Sequence, residues 1–307
     1  MRYEAELRGA TKRYGGVTAI SGACLAVAPG SVVGLLGPNG AGKTTCLELL
    51  AGLKRPTSGE VRVFGVDPQA DRAAIRSQVG FQPQHCQLLE NQTVGELFGL
   101  WTALYGVGGA DQMIARLGLE DARRARLKRL SAGTKRRVLL GLTFLPQPRL
   151  ALLEEPTSLL DPAARDAVWD LVADCRSRGG TVIVSTHRPE VAEQLCDAVA
   201  ILDGGRIVAQ GAPVDLIGRH CPGRALEALV EGPLPPGWAG GIVGAVSAFG
   251  SPRRGRTLAR VVTAEPEAAL AQLRRLARVV ESRPTPAGLP DVYAQVTRPL
   301  ERVGGPL

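Results

Sequence analysis

No apolar run in the sequence reaches the ~18–20 residues that a helix needs to cross a bilayer. The opening Met1-Arg2-Tyr3-Glu4-Ala5-Glu6 has no apolar stretch of the kind that directs secretion. These two absences lead us to expect a cytosolic chain. There is also no Cys-x-x-Cys pair; Cys24, Cys46, Cys86, Cys175, Cys196 and Cys221 are scattered. That spacing argues against a metal knuckle or a disulfide framework, and for buried free thiols in a reducing compartment. No nucleic-acid reading module accompanies the basic residues, so nucleic acid is not an expected partner.

What is present fits a globular protein. At roughly 100–200 residues per domain, 307 residues make one large domain or a large one and a small one. An apolar content of 45% is enough for a sizeable core. The formal charge is +8, with basic clusters at 123–129, 135–137, 253–256 and 274–275. These clusters read as solvated surface or, more sharply, as an anionic membrane face.

Strand and helix patterns alternate up to about residue 218. Val32-Val33-Gly34-Leu35-Leu36 reads as a buried strand, then a glycine loop, then a helix over 43–50. Further strands are expected at 59–64, 150–153, 181–185 and 198–202, and helices at 93–104, 111–117 (Asp111 as its cap) and 162–178. The alternation predicts a mainly parallel sheet covered on both faces. After Cys221 the composition shifts, and Gly232-Pro233-Leu234-Pro235-Pro236-Gly237 reads as a linker or loop. Strands near 242–249, 257–263 and 278–282 with a helix over 266–276 suggest a small α+β domain over 221–307, with a disordered tail at 304–307.

Gly37-Pro38-Asn39-Gly40-Ala41-Gly42-Lys43-Thr44-Thr45 fits G-x-x-x-x-G-K-[ST]. Glycines let the backbone curl so that successive N–H groups face phosphate oxygens, and the helix that follows presents its positive end. Lys43 supplies a point charge for the β and γ phosphates, and the Thr44 hydroxyl can ligate magnesium. Four features lie downstream. Glu154-Glu155 ends a buried strand, where one carboxylate can hold the magnesium water shell and the next can polarise the attacking water. Leu130-Ser131-Ala132-Gly133-Thr134 opens a helix, with Ser131 either a plain N-cap or part of a γ-phosphate site. Ser185-Thr186-His187 ends another strand, and Ser158-Leu159-Leu160-Asp161 follows the carboxylate pair.

Together these residues resemble the nucleotide-binding domain of the ATP-binding cassette (ABC) family, in the order phosphate loop, glutamine loop, signature, second Walker motif, D-loop, switch histidine. The resemblance covers about residues 3–218. It implies an α/β P-loop NTPase fold over 1–220, with a helical subdomain at about 85–145 and an antiparallel β subdomain. It implies ATP with Mg2+ as the bound pair. Tyr14 matches the aromatic that stacks on adenine, although strand packing would also explain it. Gln84 matches the glutamine that reaches magnesium and senses the membrane partner, with Gln82 and Gln87 as weaker candidates. Glu155 matches the catalytic glutamate and His187 the switch histidine. In the family two domains pair head to tail, so Ser131, Ala132, Gly133 and Thr134 would act on the partner's ATP, and Asp161 would couple the two sites. The expected partners are a second nucleotide-binding subunit, most simply another copy, and a separately encoded permease that holds the chain at the inner membrane face.

Two motifs depart from the family pattern. Glu154 stands where the family has aspartate, and Ala132 and Thr134 replace glycine and glutamine of the signature. These changes imply active but slowed hydrolysis. Gly288-Leu289-Pro290-Asp291-Val292-Tyr293 resembles the Leu-Glu-Asp-Val-Phe ending of many type-two exporter ATPases, with Pro290 in place of the glutamate. The leading expectation is an exporter ATPase subunit contacting its permease through Gln84 and residues 93–105, where Phe98 and Trp101 serve as core or interface. A weakly hydrolysing ATP-dependent clamp is the second reading. A soluble cassette acting on ribosomes or DNA is the third; one phosphate loop and no long coil count against it.

Overall fold

A computed structural model describes residues 3–84 and 89–297. Cys86, Gln87, the first residues of the expected helical subdomain and the tail at 304–307 lie outside the described residues. The chain divides into two compact units, Met1–His187 with Leu202–Ile207, and Arg188–Ile201 with Val208–Leu307.

The first unit opens with two long antiparallel strands, β1 (Ala5–Tyr14) and β2 (Val17–Val27), joined by the turn Gly15-Gly16. β3 (Val32–Leu36) follows, buried along its whole length, and runs into the loop before α1 (Lys43–Leu50). β4 (Ser58–Val63) returns to pair with β1, giving a three-stranded sheet in the order β2-β1-β4. After α2 (Arg72–Ile75) and β5 (Val79–Gln82) come the helices α3 (Val94–Tyr105), α4 (Ala110–Arg116) and α5 (Ala132–Phe144). Then β6 (Leu150–Glu154), α6 (Pro162–Ser177) and β7 (Thr181–Thr186) complete the run.

Local chemistry explains the helix starts. Thr93 and Glu96 form a reciprocal capping box: the Glu96 N–H donates to Thr93 Oγ1 at 3.2 Å, and the Thr93 N–H donates to Glu96 Oε2 at 2.7 Å. Asp161 caps α6 by accepting from the Ala164 N–H at 2.9 Å, with Pro162 in the first turn. α4 differs from expectation. Its N-cap is the left-handed Gly109, and Asp111 lies inside the first turn, paired with Arg123 at 2.7 Å.

β5, β6, β7 and β3 are parallel neighbours, and their register is what matters for function. Leu36 pairs with Thr186, Glu154 with Ser185, and Gln82 with Leu153. The strands therefore end nearly level. The residues just past them, Gly37, Gln84, Glu155 and His187, gather at one edge of the sheet, where open α/β sheets bind ligands. β6 and β7 are buried throughout, as parallel strands covered on both faces must be. The sheet continues with β8 (Ala198–Asp203) and β9 (Arg206–Gly211), in the order β5-β6-β7-β3-β8-β9.

The second unit holds α7 (Pro189–Leu195), α8 (Pro213–His220) and an antiparallel sheet of β10 (Arg224–Glu231), β11 (Ala245–Arg253), β12 (Arg256–Thr263) and β13 (Val279–Pro286), in the order β11-β12-β10-β13. α9 (Pro266–Leu276) packs Ala269 and Leu273 against Leu226, Ala228 and Val261. β10 occupies a central place yet was not expected. Its Ala-Leu-Glu-Ala-Leu core consists of helix formers, and two neighbouring strands override that preference. The strand expected from 242 begins at Ala245, because Trp238–Gly241 forms a 3-10 turn that drops Ile242 into the core.

α10 (Leu289–Thr297) carries the exporter-like ending. Val292 is fully buried and Tyr293 half-buried. Asp291 is also fully buried and accepts from the Gly288 N–H and from Nε and Nη2 of Arg260, each at 2.8 Å. Arg260 also donates to Glu227 Oε1 at 2.7 Å, and the Leu289 N–H donates to Glu193 Oε2 at 2.7 Å. Removing one member of a buried ion pair strands the other, at a cost of about 3–5 kcal/mol. Asp291→Ala is accordingly expected to lower the unfolding free energy by about 3 kcal/mol or more in urea titration. A change below about 1 kcal/mol, the size of an exposed pair, would contradict this assignment.

Candidate nucleotide site

The sheet edge opens into a cavity of about 450 Å3 lined by Asn39, Gly40, Gly42, Lys43, Thr44, Thr45, Gln84, Glu154, Glu155, Ser158 and His187, with Ala19 from β2. Most of the expected site residues thus share one space. Gly37 and Ala41 shape it from behind. A Cβ on Gly37 would lie 2.5 Å from the Leu202 carbonyl oxygen, and Ala41 is buried. At Gly42 the backbone is left-handed, φ 102°, and a Cβ would lie 2.6 Å from the Ala19 carbonyl oxygen. Only glycine meets both conditions.

Lys43 is 7% exposed and curls back on its own loop, donating to the carbonyls of Gly37 at 2.7 Å and Pro38 at 3.0 Å. Burial lowers its pKa, while Glu155 and Glu154 pull it back up. The ammonium is therefore poorly solvated and faces carboxylates, a setting in which an incoming phosphate gains strongly. The Thr44 hydroxyl donates directly to Glu154 Oε1. Glu154 Oε2 accepts from the Gln84 N–H at 2.9 Å.

Glu155 also sits in a left-handed conformation, φ 46°, which costs a side-chain-bearing residue about 1–3 kcal/mol and needs outside support. Its N–H donates to the Ser185 carbonyl at 3.2 Å, and its carbonyl accepts from the Ser158 N–H at 3.1 Å. Its carboxylate Oε1 lies 2.9 Å from His187 Nδ1. The last strand end and the carboxylate pair are thereby joined.

Two groups of residues lie apart from this cavity. Tyr14, at the end of β1, is not among its lining residues. It is 41% exposed, with the Lys12 and Lys54 ammonium groups 5.1 and 5.9 Å from its ring centre. The signature residues do not line it either. Ser131 caps α5, accepting from the Thr134 N–H at 3.1 Å and lying 2.8 Å from Thr134 Oγ1. Ala132 is exposed, so its Cβ crowds nothing within this chain. A Cβ on Gly133 would lie 2.9 Å from the Leu159 carbonyl oxygen, which ties the signature to the segment that ends in Asp161.

Arg136 is what the sequence reading missed. A basic triplet at 135–137 reads as solvated surface, but Arg136 is 5% exposed. It donates to the carbonyls of Pro83 at 3.0 Å, Gln84 at 3.1 Å and Glu155 at 2.9 Å, and to Ser158 Oγ at 2.8 Å. Arg137 turns inward as well, donating to the Leu117 and Gly118 carbonyls at 2.8 Å each. Gln82, a weaker candidate, is buried under Glu154 rather than in the cavity; its Nε2 donates to the Pro83 and Glu154 carbonyls. Among the described residues no thiol lines the cavity. Cys46, Cys196 and Cys221 are buried and pushed up to about 12 by that burial, whereas Cys24 is exposed, against expectation. A larger groove of about 660 Å3 lies in the second unit between α9 and β13, and it has no phosphate loop.

Residues 20–158 match the family model described as ABC transporter. The chain is 38% identical over 214 residues to the daunorubicin resistance ATP-binding protein DrrA3 of Streptomyces coeruleorubidus, covering 68% of each. It is 37% identical over 213 residues to the Nod factor export ATP-binding protein I of Rhizobium etli, covering 67% of each. The chain belongs to the ABC transporter ATP-binding family. A solved ATP-binding subunit of an ABC transporter superposes with a TM-score of 0.66 at 28% identity, covering 70% of this chain and 92% of that chain. A bacterial Atm1-family ABC exporter with ATP bound gives 0.64 at 26%, over 71% of this chain and 40% of that chain. The cassette is therefore an ATPase of the transport type, with the P-loop NTPase fold.

Gly42→Ala tests the cradle. The added methyl meets backbone rather than a movable side chain, so ATP affinity is expected to fall at least ~10-fold, about 1.4 kcal/mol, in a fluorescent-nucleotide titration. Affinity within twofold of wild type would show that the loop can be rebuilt without its glycine.

Proposed function

We propose that this chain is the ATP-hydrolysing subunit of an exporter, working as a pair of cassettes with a separately encoded membrane subunit. Support comes from the gathering of Lys43, Thr44, Gln84, Glu154, Glu155 and His187 around one cavity, and from relatives named for drug resistance and for Nod factor export. Among the described residues no helix is long and apolar enough to cross a membrane, so on this reading the translocation path belongs to another chain at the inner membrane face. The cassette would span 1–220, with 221–307 as an accessory domain.

The residue roles follow from the chemistry. Lys43 and the N–H groups of residues 39–45 would hold the phosphates, with Tyr14 stacking on adenine. The Glu155 carboxylate would orient the attacking water and accept its proton. His187, whose Nδ1 lies 2.9 Å from that carboxylate, would steady it and offer its other ring nitrogen to a γ-phosphate oxygen. Thr44 and Glu154 are neighbouring hard oxygen donors, the sparse set that magnesium takes together with phosphates, so the residues fit that ion. Magnesium bound there would neutralise charge on the β and γ oxygens, with Thr44 as ligand, Glu154 acting through water and Gln84 completing the set. Ser131, Ala132, Gly133 and Thr134 lie outside the cavity, as residues serving a second copy's ATP would, and Asp161 would link the two halves.

One observation favours the second reading, a weakly hydrolysing clamp. Glu154 accepts from Thr44 at the position where the family pattern has an aspartate one methylene shorter, and a carboxylate displaced by that methylene would hold the ion's water shell less well, which favours slow turnover.

Glu155→Gln decides the site assignment. It is expected to reduce ATP turnover by 10²-fold or more while ATP affinity stays within threefold. In sedimentation, the variant with ATP is expected to run as a dimer. Turnover equal to a hydrolysing wild type would remove Glu155 from its role. Wild-type turnover no higher than that of the variant would favour the clamp.

A further inference from the structure

Burying a guanidinium is expensive unless its N–H groups are satisfied and its charge is balanced. Arg136 meets the first condition through four bonds, to three carbonyls and one hydroxyl. Among the described residues, none of its hydrogen bonds reaches a carboxylate. Burial lowers its pKa, and the charges that oppose this are Glu154 and Glu155. The cation is thus held in the interior by the same two carboxylates that face the cavity.

The four acceptors come from separate pieces of the site. Pro83 and Gln84 follow β5, Glu155 follows β6, and Ser158 begins the segment leading to Asp161. The donor itself sits on α5, just past Ser131, which caps that helix. A single planar fork therefore touches the glutamine segment, the left-handed Glu155 backbone and the D-loop from the helix that carries the signature. The Glu155 carbonyl accepts from two donors, the Ser158 N–H at 3.1 Å and Arg136 Nη2 at 2.9 Å. Ser158 is in turn held by Arg136. Gln82 Nε2 reinforces the frame by binding the Pro83 carbonyl at 2.6 Å and the Glu154 carbonyl at 3.3 Å.

We propose that Arg136 is a positioning residue of the ATPase reaction: it locks the Gln84 segment, the Glu155 backbone and Ser158 into one frame with the signature helix, so that a displacement of the Gln84 segment reaches the carboxylate that activates water. The inference rests on the assignment of Gln84 and Glu155 given above. Arginine suits the task because five N–H groups in a rigid plane can span acceptors on different segments; the three donors of lysine radiate from one atom and cannot.

The test measures steady-state ATP hydrolysis by the full chain, normalised to sites counted by titration with a fluorescent ATP analogue. Arg136→Lys keeps the charge and loses the fork. Its kcat per site is expected to fall tenfold or more, with KM for ATP within twofold. A purely structural arginine would lower the number of binding sites and leave kcat per site unchanged. Arg136→Gln removes the charge without leaving a stranded cation, and is expected to show the same split if the lysine variant folds poorly. Because Ser158 acts through the same frame, adding Ser158→Ala to Arg136→Lys is expected to cost less than a further twofold. A kcat per site within twofold of wild type in both Arg136 variants, or losses that multiply in the double variant, would overturn the proposal. Glu155→Gln run alongside keeps the two readings apart. If it loses turnover while the Arg136 variants keep theirs, only this inference fails; if it keeps turnover, the site assignment fails first.

Discussion

The parallel register of β5, β6, β7 and β3 is the constraint on which the site depends. These strands end nearly level, with Gln82 opposite Leu153, Glu154 opposite Ser185 and Leu36 opposite Thr186. Residues more than a hundred positions apart in sequence are thereby delivered to one edge. Thr44 meets Glu154, 110 residues away, and Gln84 meets the same carboxylate across 70. Slipping one strand by a residue would send alternate side chains to the opposite face and dissolve the arrangement. The buried apolar strands thus serve the chemistry: their packing fixes where the polar ends lie.

At that edge the charges are crowded and poorly solvated. Lys43 and Arg136 are nearly inaccessible cations, and Glu154 is a nearly inaccessible anion beside Glu155. Each would be costly alone. The cations are lowered in pKa by burial and raised by the carboxylates, so the set is held together by mutual compensation rather than by any single ion pair. Such a set gives easily when a stronger charge enters.

Legibility in the sequence followed the range of the interactions. The phosphate loop was readable because its function is local: nine consecutive residues carry glycines for the curl, a lysine and a hydroxyl. The strands at 32–36 and 150–153 were readable because both faces are buried and their apolar runs are unbroken. Arg136 was not, because a basic triplet looks the same whether it faces water or four buried acceptors. β10 was missed for a related reason. Its residues favour helix locally, and only pairing with β12 and β13, drawn from up to 62 residues away, makes it a strand. The nearness of Lys12 and Lys54 to Tyr14 likewise lies beyond anything a motif records.

Asp291 extends that lesson to the C-terminal ending. A sequence reading of residues 288–293 assigns the work to the apolar Val292 and Tyr293. The structure gives a larger share to the acid between them and Pro290, which holds the Gly288 amide and the Arg260 fork at once. Pro290, standing where the related ending has glutamate, fits without loss, since the second position of a helix has no intrahelical use for its N–H. Arg260 then reaches Glu227 on β10, so the helix is bonded to the central strand of its unit as well as packed on it. An ending held this way has a defined orientation, because a directional, doubly bonded ion pair fixes rotation about the helix axis where apolar packing alone would tolerate slippage.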